Sequence, residues 1–364
     1  MKPVDKITTK QLFAVIFVGL LSPLIRLLPK RSTELAGTAS WLAPIAAFVP
    51  LLLFGSLILF LIKNRNRDEG LADLFIRSLG KYIGGAVCLL FAVWLLFYSG
   101  FILRTSGERL LSTVYDNGNI TFFLVVTILL ALLPARGEVK SLARLAEVFT
   151  SVLIVTLAVV FLFSIPGIKI RNLLPVSIND TLPILYSAIP IVDVVSVWIY
   201  MTFISGYVEK GDRTAKKKLS IRWLSYTLII IFLLMVTTVG NFGSGFLTQM
   251  QHPFFVMIKN ITIFNIVERI ESVVIAIWIA TDFIFLSALL IIISEILKTV
   301  FKAKKRTPFA YPCAAISLIV SLVIAPNAFV LETISEVIVP IIHLALALVV
   351  IPLILFIGKI RKKI

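Results

Sequence analysis

Apolar runs of membrane-crossing length fill this chain, separated by short polar connections. Ten can be marked, at 12–28, 41–62, 82–103, 120–133, 148–165, 185–208, 221–239, 273–296, 311–325 and 337–357. Most approach the ~20 residues a helix needs to cross a ~30 Å hydrocarbon core, while 120–133 and 311–325 are short for the task. Lipid offers no partner to backbone N–H and C=O groups, so runs like these must be helices. The pattern predicts an all-α integral membrane fold of ten transmembrane helices forming a single domain over residues 1–364. Amphipathic spacing adds a short interfacial helix over Leu71–Ile83, with Leu71, Leu74, Phe75 and Ser78 on one face, and an outer counterpart over Met257–Glu271.

Charge sorts onto alternate connections. With the amino terminus inside, 26 of the 35 Lys and Arg residues fall on inner segments, as the positive-inside rule requires. Lys216-Lys217-Lys218, Lys302 to Arg306 and Lys359 to Lys363 all lie there, and both ends are expected on the cytoplasmic side. This sorting changes the meaning of the +16 net charge and the pI near 9.9. In a soluble protein they would point to nucleic acid; here they match anionic lipid headgroups, so membrane lipids and not nucleic acid are the expected partner. A hydrophobic content of 59% and a mean hydropathy of +1.04 leave no polar stretch for a soluble domain. The first run has no small-residue cleavage site and leads into Arg26 and Lys30-Arg31, the mark of a retained helix.

Helix breakers then point to a site. Gly19-Leu-Leu-Ser22-Pro23 interrupts the first run, and Ser187-Ala-Ile-Pro190, followed by Asp193 and Ser196, interrupts the sixth. Proline removes a backbone donor and crowds the preceding turn, and irregular backbone within a span is tolerated only where it lines a cavity or is buried in protein. One such proline is an ordinary kink. Two, in the first members of successive sets of five, predict a 5+5 inverted repeat with broken first and sixth helices and ligand between them at the midplane.

Ionisable side chains within spans sharpen that reading, because each costs at least ~2.5 kcal/mol on insertion scales without a partner, a cavity or a function. Asp193 and Asp282 are the deepest carboxylates. Either is a candidate for a ligand ammonium, with half-helix amino termini taking a carboxylate; the alternative is a carboxylate hydrogen-bonded to Ser or Thr, or facing water. Candidate ligand-binding residues are thus Gly19, Ser22, Pro23, Asp193, Ser196 and Asp282, with Tyr98 and Phe285 as walls. Arg104 and Glu108, four apart on one face, form a candidate outer gate, the alternative being solvated residues at a helix end. Glu268, Arg269 and Glu271 are expected to cap and orient the eighth span.

Other chemistry is missing from the pattern. Cys88 and Cys313 lie in or near separate spans, and His252 and His343 show no metal spacing. No cofactor is expected, and no hydrolase, kinase or redox motif marks an enzyme. Asn119-Ile-Thr121, Asn179-Asp-Thr181 and Asn260-Ile-Thr262 fit a glycosylation triplet too common by chance to carry weight.

One stretch resembles a known family. Ile261-Thr-Ile-Phe-Asn-Ile-Val-Glu268-Arg269-Ile-Glu271-Ser272, with Trp278 beyond, is similar to the most characteristic segment of the B subunit of spore nutrient-germinant receptors. Further matches are Gln11, Pro29, Leu79-Gly80-Lys81-Tyr82-Ile83-Gly84, Arg104 with Glu108, Asn172-Leu173-Leu174-Pro175-Val176 and Pro352. The resemblance implies a fold like amino acid–polyamine–organocation transporters, residence in the spore inner membrane, and sensing of amino acids or similar nutrients with an A subunit and a lipoprotein C subunit. The chain departs from the family at both breaks. Ser22-Pro23-Leu24 replaces a Gly-x-Gly-like pair, and Ser196-Val197-Trp198 replaces a small residue, glycine and glutamate. Bulk there narrows a pocket, which implies a different ligand or lost sensitivity. The other function class is a stand-alone secondary amino acid transporter, which the same fold would serve.

Overall fold

A computed structural model of the chain describes residues 5–64, 69–113, 118–209, 213–260 and 270–363, the side chains of 63, 64, 213–218, 270 and 271 aside. Most of the run that carries the family resemblance, 261–269 with Glu268 and Arg269, lies outside the described residues, as does the side chain of Glu271. Among the described residues the structure is helical, relieved by one isolated parallel bridge between Ile7 and Val208.

The helices follow the hydropathy. Those longer than a single turn are α1 (Thr9–Ala36), α2 (Phe48–Asn64), α3 (Leu71–Leu79), α4 (Lys81–Thr113), α5 (Ile120–Arg136), α6 (Val139–Ser164), α7 (Thr181–Ser187), α8 (Ile189–Ser196), α9 (Arg213–Phe242), α10 (Pro253–Lys259), α11 (Ile270–Val300), α12 (Thr307–Val323) and α13 (Ala328–Ile360). Among the described residues seven helical stretches are long and apolar enough to cross a membrane. The first, Thr9–Ile62, holds both of the first two predicted spans, and α5 and α12 are shorter apolar helices. The ten predicted passages are compatible with this set. The interfacial helix ends earlier than expected, because Gly80 at φ +91° turns the chain and α4 already begins at Lys81. Its predicted face is buried: Leu71, Leu74, Phe75 and Ser78 all pack inward. Most of the outer counterpart predicted over 257–271 lies outside the described residues; α10 precedes it and reaches its first three positions.

The first predicted break requires correction. α1 winds continuously through Pro23 and Pro29, since each proline removes one donor from the ladder and the packed neighbours of a buried helix hold its winding. Thr8 starts it with a capping box, its hydroxyl accepting from the Gln11 N–H at 3.2 Å while the Gln11 side chain accepts from the Thr8 N–H at 3.0 Å. The sixth predicted span is irregular, in another form than unwound strand. A turn at Ala188 separates α7 from α8, and from Val197 to Tyr207 the backbone tightens into eleven residues of 3₁₀ helix. Runs longer than three or four residues in that winding are uncommon and mark hinges or strain. α13 carries the opposite irregularity, π-helical winding at Ile334–Ile338 and again at Ala345–Val350.

α1, α4 and α11 form the centre of the bundle. α1 packs on α6, α7, α8, α9 and α11, and α4 packs on α11 and α12. The α4–α12 crossing is close because Gly100 leaves room: a Cβ there would lie 2.4 Å from Val320 Cγ1, and the Ser99 and Ser317 hydroxyls meet at 2.6 Å beside it. Small residues and hydroxyl pairs are how helices associate without a hydrophobic driving force.

The two ends of the bundle close differently. At the lower end, which holds Thr9, the segment before α1 seals the helices. Ile7 N–H donates to Tyr207 O and Glu209 N–H to Ile7 O, both at 2.9 Å. Asp5 caps α6 by accepting from Val139 N–H and Lys140 N–H at 2.9 and 3.0 Å. Above that strap Phe13 contacts Trp198 and Trp223 at 6.1 and 6.3 Å, and Phe17 lies 5.4 Å from Trp223. At the upper end a polar ladder joins α1 to α13: Arg26 donates to Ser335 Oγ at 3.2 Å, Lys30 pairs with Glu332, and Arg31 reaches Glu336 at 3.2 Å.

Candidate functional site

Behind the upper ladder lies a cavity of about 70 Å³, bounded by Arg26, Lys30, Glu108, Arg109, His252 and Glu332 among others. It has room for roughly five waters. Four cationic side chains and three carboxylates line it, and His252 adds no charge. Burial, with Arg109 next in effect, holds the His252 imidazole down at about 3, so the ring is neutral at any ordinary pH. Arg26 differs from its neighbours. Among the described residues it has no carboxylate within ion-pair distance; its partners are the Ser335 hydroxyl and the face of Phe101, 5.8 Å away. Arg104 and Glu108, the predicted gate, do pair at 2.8 Å beside this cavity, with Glu108 alone of the two on its wall.

A salt-bridged layer forms the cavity floor. Asp282 on α11 accepts from Arg109, and from the Ser106 hydroxyl at 2.6 Å. Arg109 also donates to Ser22 Oγ at 2.8 Å and lies 4.7 Å above the ring of Trp278. Arg109 and Asp282 are 4% and 2% exposed, so this ion pair is withdrawn from water and each charge depends on the other. The expectation that Asp282 offers a free carboxylate to a ligand needs correction. Its charge is already answered by a guanidinium two turns beyond the predicted end of the third span.

Below this layer come the predicted walls. A Cβ on Gly19 would lie 2.6 Å from Phe285 Cδ2, so the ring of Phe285 packs directly on the α1 backbone. Phe285 meets Tyr98 edge-on at 6.1 Å. Pro23 is buried in the same stretch of α1. Tyr98 faces the interior, as expected, and its ring lies 4.5 Å from the imidazole of His343.

At the centre His343 on α13 meets Asp193 on α8. Nδ1 and Oδ1 are 3.3 Å apart, within ion-pair reach, yet they are not aligned as a hydrogen bond. Trp94 and Tyr200 complete a box around the imidazole at 5.4 and 5.6 Å, with the Trp94 N–H donating to the Tyr200 hydroxyl at 3.1 Å. Asp193 and His343 are 3% and 1% exposed. Ser196 lies next to them in sequence, but its hydroxyl donates to Asp193 O at 2.6 Å and so serves its own helix. Thus Gly19, Tyr98, Phe285 and Asp193 come together in one stack, and Ser22 and Asp282 in the layer above it.

Sequence reasoning missed His343, Arg109, Arg26, Trp94 and Tyr200. For His343 a signal existed: an ionisable side chain within an apolar span is a site candidate by default, whatever its distance from another histidine.

Comparisons with known proteins agree on the kind of molecule this is. The family model described as spore germination protein matches residues 6–329. Spore germination protein KB of Bacillus subtilis (strain 168) is 25% identical, over 98% of this chain and 95% of that protein. Spore germination protein A2 of the same organism is 23% identical over 76% of each. Among solved structures, the fold is similar to Mhp1, a nucleobase-cation-symport-1 family transporter in a closed conformation with bromovinylhydantoin bound. The TM-score is 0.66 at 13% identity, covering 95% of this chain and 79% of that one. It is also similar to MhsT in complex with L-phenylalanine, with a TM-score of 0.60 at 13% identity, covering 92% and 88%.

Proposed function

We infer the role of this chain from its family: it belongs to the spore germination proteins, and it is a multi-pass membrane protein with the fold of secondary transporters. We propose that it is the nutrient-sensing B subunit of a germinant receptor, working with an A subunit and a lipoprotein C subunit in the inner membrane of the spore. On the positive-inside assignment both termini face the spore core, which makes the upper cavity the outward one. Nutrient then arrives from outside at a bundle whose lower end is strapped shut.

The observation that carries this reading is the upper cavity itself. It leads to a continuous stack of buried groups, Ser22 and Arg109, then Gly19 and Phe285, then Tyr98, with the lower seal beyond. Arg26 is the natural receiver of a nutrient carboxylate, because its guanidinium lines the cavity without a carboxylate partner among the described residues. Glu108 on the same wall, although paired with Arg104, is 25% exposed at its side chain and can share its charge with an ammonium group. An amino-acid-like zwitterion fits this pairing. Ligand binding that repacks Phe285 and Tyr98 would reach the 3₁₀ segment and α13, the irregular elements best suited to move.

The test is a germination dose response on spores carrying Arg26→Gln at equal protein level. Losing a charge-assisted contact worth ~1.5–3 kcal/mol raises the nutrient concentration needed by roughly 10- to 100-fold. An unchanged curve removes Arg26 from the site. The second reading, a stand-alone amino acid transporter, is kept alive by the transporter fold. Substrate uptake by the purified chain in proteoliposomes, with germination of the deletion strain intact, would decide for it.

A further inference from the structure

The central imidazole and carboxylate have a geometry that the nutrient site does not explain. Oδ1 of Asp193 and both ring nitrogens of His343 are buried without a well-formed hydrogen bond among the described residues. Buried polar atoms in native proteins are nearly always satisfied, so three orphans at one point call for a missing ligand. Nδ1 and Oδ1 face each other across 3.3 Å, a gap too narrow to admit another molecule between them. Each side chain, moreover, is carried by an element of irregular winding. α8 runs into the 3₁₀ segment at Val197, and His343 stands between the two π-helical turns of α13. Single π turns within helices recur at functional sites.

We propose that Asp193 and His343 form a proton-binding site that links α8 to α13. One proton adds to the free lone pair of the neutral imidazole, and the net charge of the couple goes from −1 to 0. With the proton in place the couple is an imidazolium against a carboxylate, the charge-assisted pairing that shortens such contacts. Without it a lone carboxylate stands in an aromatic box, an environment that a buried charge tolerates only with a partner. Release of the proton therefore favours separation of α8 from α13, where water can reach the carboxylate.

Among the described residues no other charge on the surrounding elements takes this role. From α4 and the 3₁₀ segment the couple is faced by the phenols of Tyr98 and Tyr200. The one ionisable residue of α2 is Lys63 at its far end, whose side chain lies outside the described set, and Tyr186 of α7 is exposed. The charge that α1 brings nearby, Arg26, lies over Phe101, whose ring stacks on Tyr98 at 6.1 Å. On α11, Asp282 is paired with Arg109, and on α13 itself Glu332 and Glu336 are paired with Lys30 and Arg31. Tyr98 bridges Phe285 and His343, so a ligand that repacks the stack changes the proton affinity of the couple. By linkage the proton changes the ligand affinity by the same factor.

The experiment uses the full chain, labelled with ¹⁵N-histidine, in lipid nanodiscs without nutrient. The chain has two histidines, so His252→Gln assigns the remaining signals to His343. The expected result is an imidazolium that titrates as a single proton, with a midpoint lower by about one pH unit or more in Asp193→Asn, the usual scale for losing an opposite charge at this range. A ring that stays neutral in the wild type from pH 5 to 9, or one that titrates identically in both proteins, overturns the proposal. Should Asp193→Asn fail to fold, the tryptophan emission of His343→Gln replaces it, because Trp94 lies edge-on to the imidazole. Emission that shifts with pH in the wild type and not in the variant supports the site, and an equal response in both sinks it. None of these readouts needs a germinant, so a failed receptor assignment leaves them untouched.

Discussion

Two buried carboxylates a short way apart in this bundle are held in opposite ways. Asp282 has a guanidinium and a hydroxyl aimed at it, and the guanidinium is in turn fixed by Ser22 and by the face of Trp278. Asp193 faces an imidazole that is close but not aligned, inside a box of rings. The first arrangement has one stable charge state, and its loss leaves a bare charge in a low-dielectric interior. The second has two charge states that differ by one proton. A membrane bundle can thus hold a fixed brace and a poised site in adjacent layers, and the number of satisfied donors around each carboxylate separates them.

The largest expected effect is on the brace. Arg109→Leu strands Asp282, and breaking a buried pair from one side costs about 3–5 kcal/mol. The variant should lose most of its thermal stability in detergent, or fail to accumulate. Arg109→Leu combined with Asp282→Leu should recover much of that loss, because replacing both members of a buried pair with apolar groups is often neutral. If the single variant unfolds at the wild-type temperature, the Asp282 layer is no brace and the contrast between the two centres disappears.

A middle-sized effect is expected where α1 touches Phe285. Gly19→Ala places a methyl group 2.6 Å from Phe285 Cδ2, and overfilling a packed site typically costs ~1–3 kcal/mol. The ring has to shift, and Tyr98, which touches both Phe285 and His343, is among its neighbours. Thermal unfolding should therefore show a moderate loss that Phe285→Leu partly reverses. Reversal would sharpen the comparison by tying the Asp193 centre to the α1 backbone. Its absence would mean that the added methyl is relieved elsewhere.

The sequence made the fold legible to the extent that hydropathy and charge sorting report it. Length and periodicity locate apolar helices whether or not the winding is regular, which is why the passages were readable and the 3₁₀ and π segments were not. Prolines in the first and sixth runs looked alike on the page. Packing separates them: α1 is clasped on several sides by other helices and stays wound through Pro23, whereas Pro190 stands beside a turn and ahead of a long 3₁₀ segment. Asp193 and Asp282 were found because a charge stands out in an apolar run. Their partners were not, since a pairing across 173 or 150 residues of chain leaves no local mark. His343 was passed over through a test of metal spacing, when the relevant question was which buried carboxylate it meets.

The smallest effect belongs to the ladder at the upper end. Lys30 and Glu332 pair there with side chains that are 21% and 42% exposed, so the Coulomb attraction acts largely through water and two long side chains must be ordered to gain it. Exposed pairs of this kind contribute ~0.2–1 kcal/mol, and ionic strength near 0.15 M screens charges beyond about 8 Å. Lys30→Met keeps the aliphatic stem that packs along the cavity wall and removes the charge alone. The variant should unfold within a degree or two of the wild type, with the gap closing as salt is raised. A loss approaching that of Arg109→Leu would mean that the upper end is held as firmly as the Asp282 layer. In that event the cavity could not serve as an entrance that opens at small cost, and the contrast between brace and poised centre would have to be redrawn to place the whole upper half with the brace.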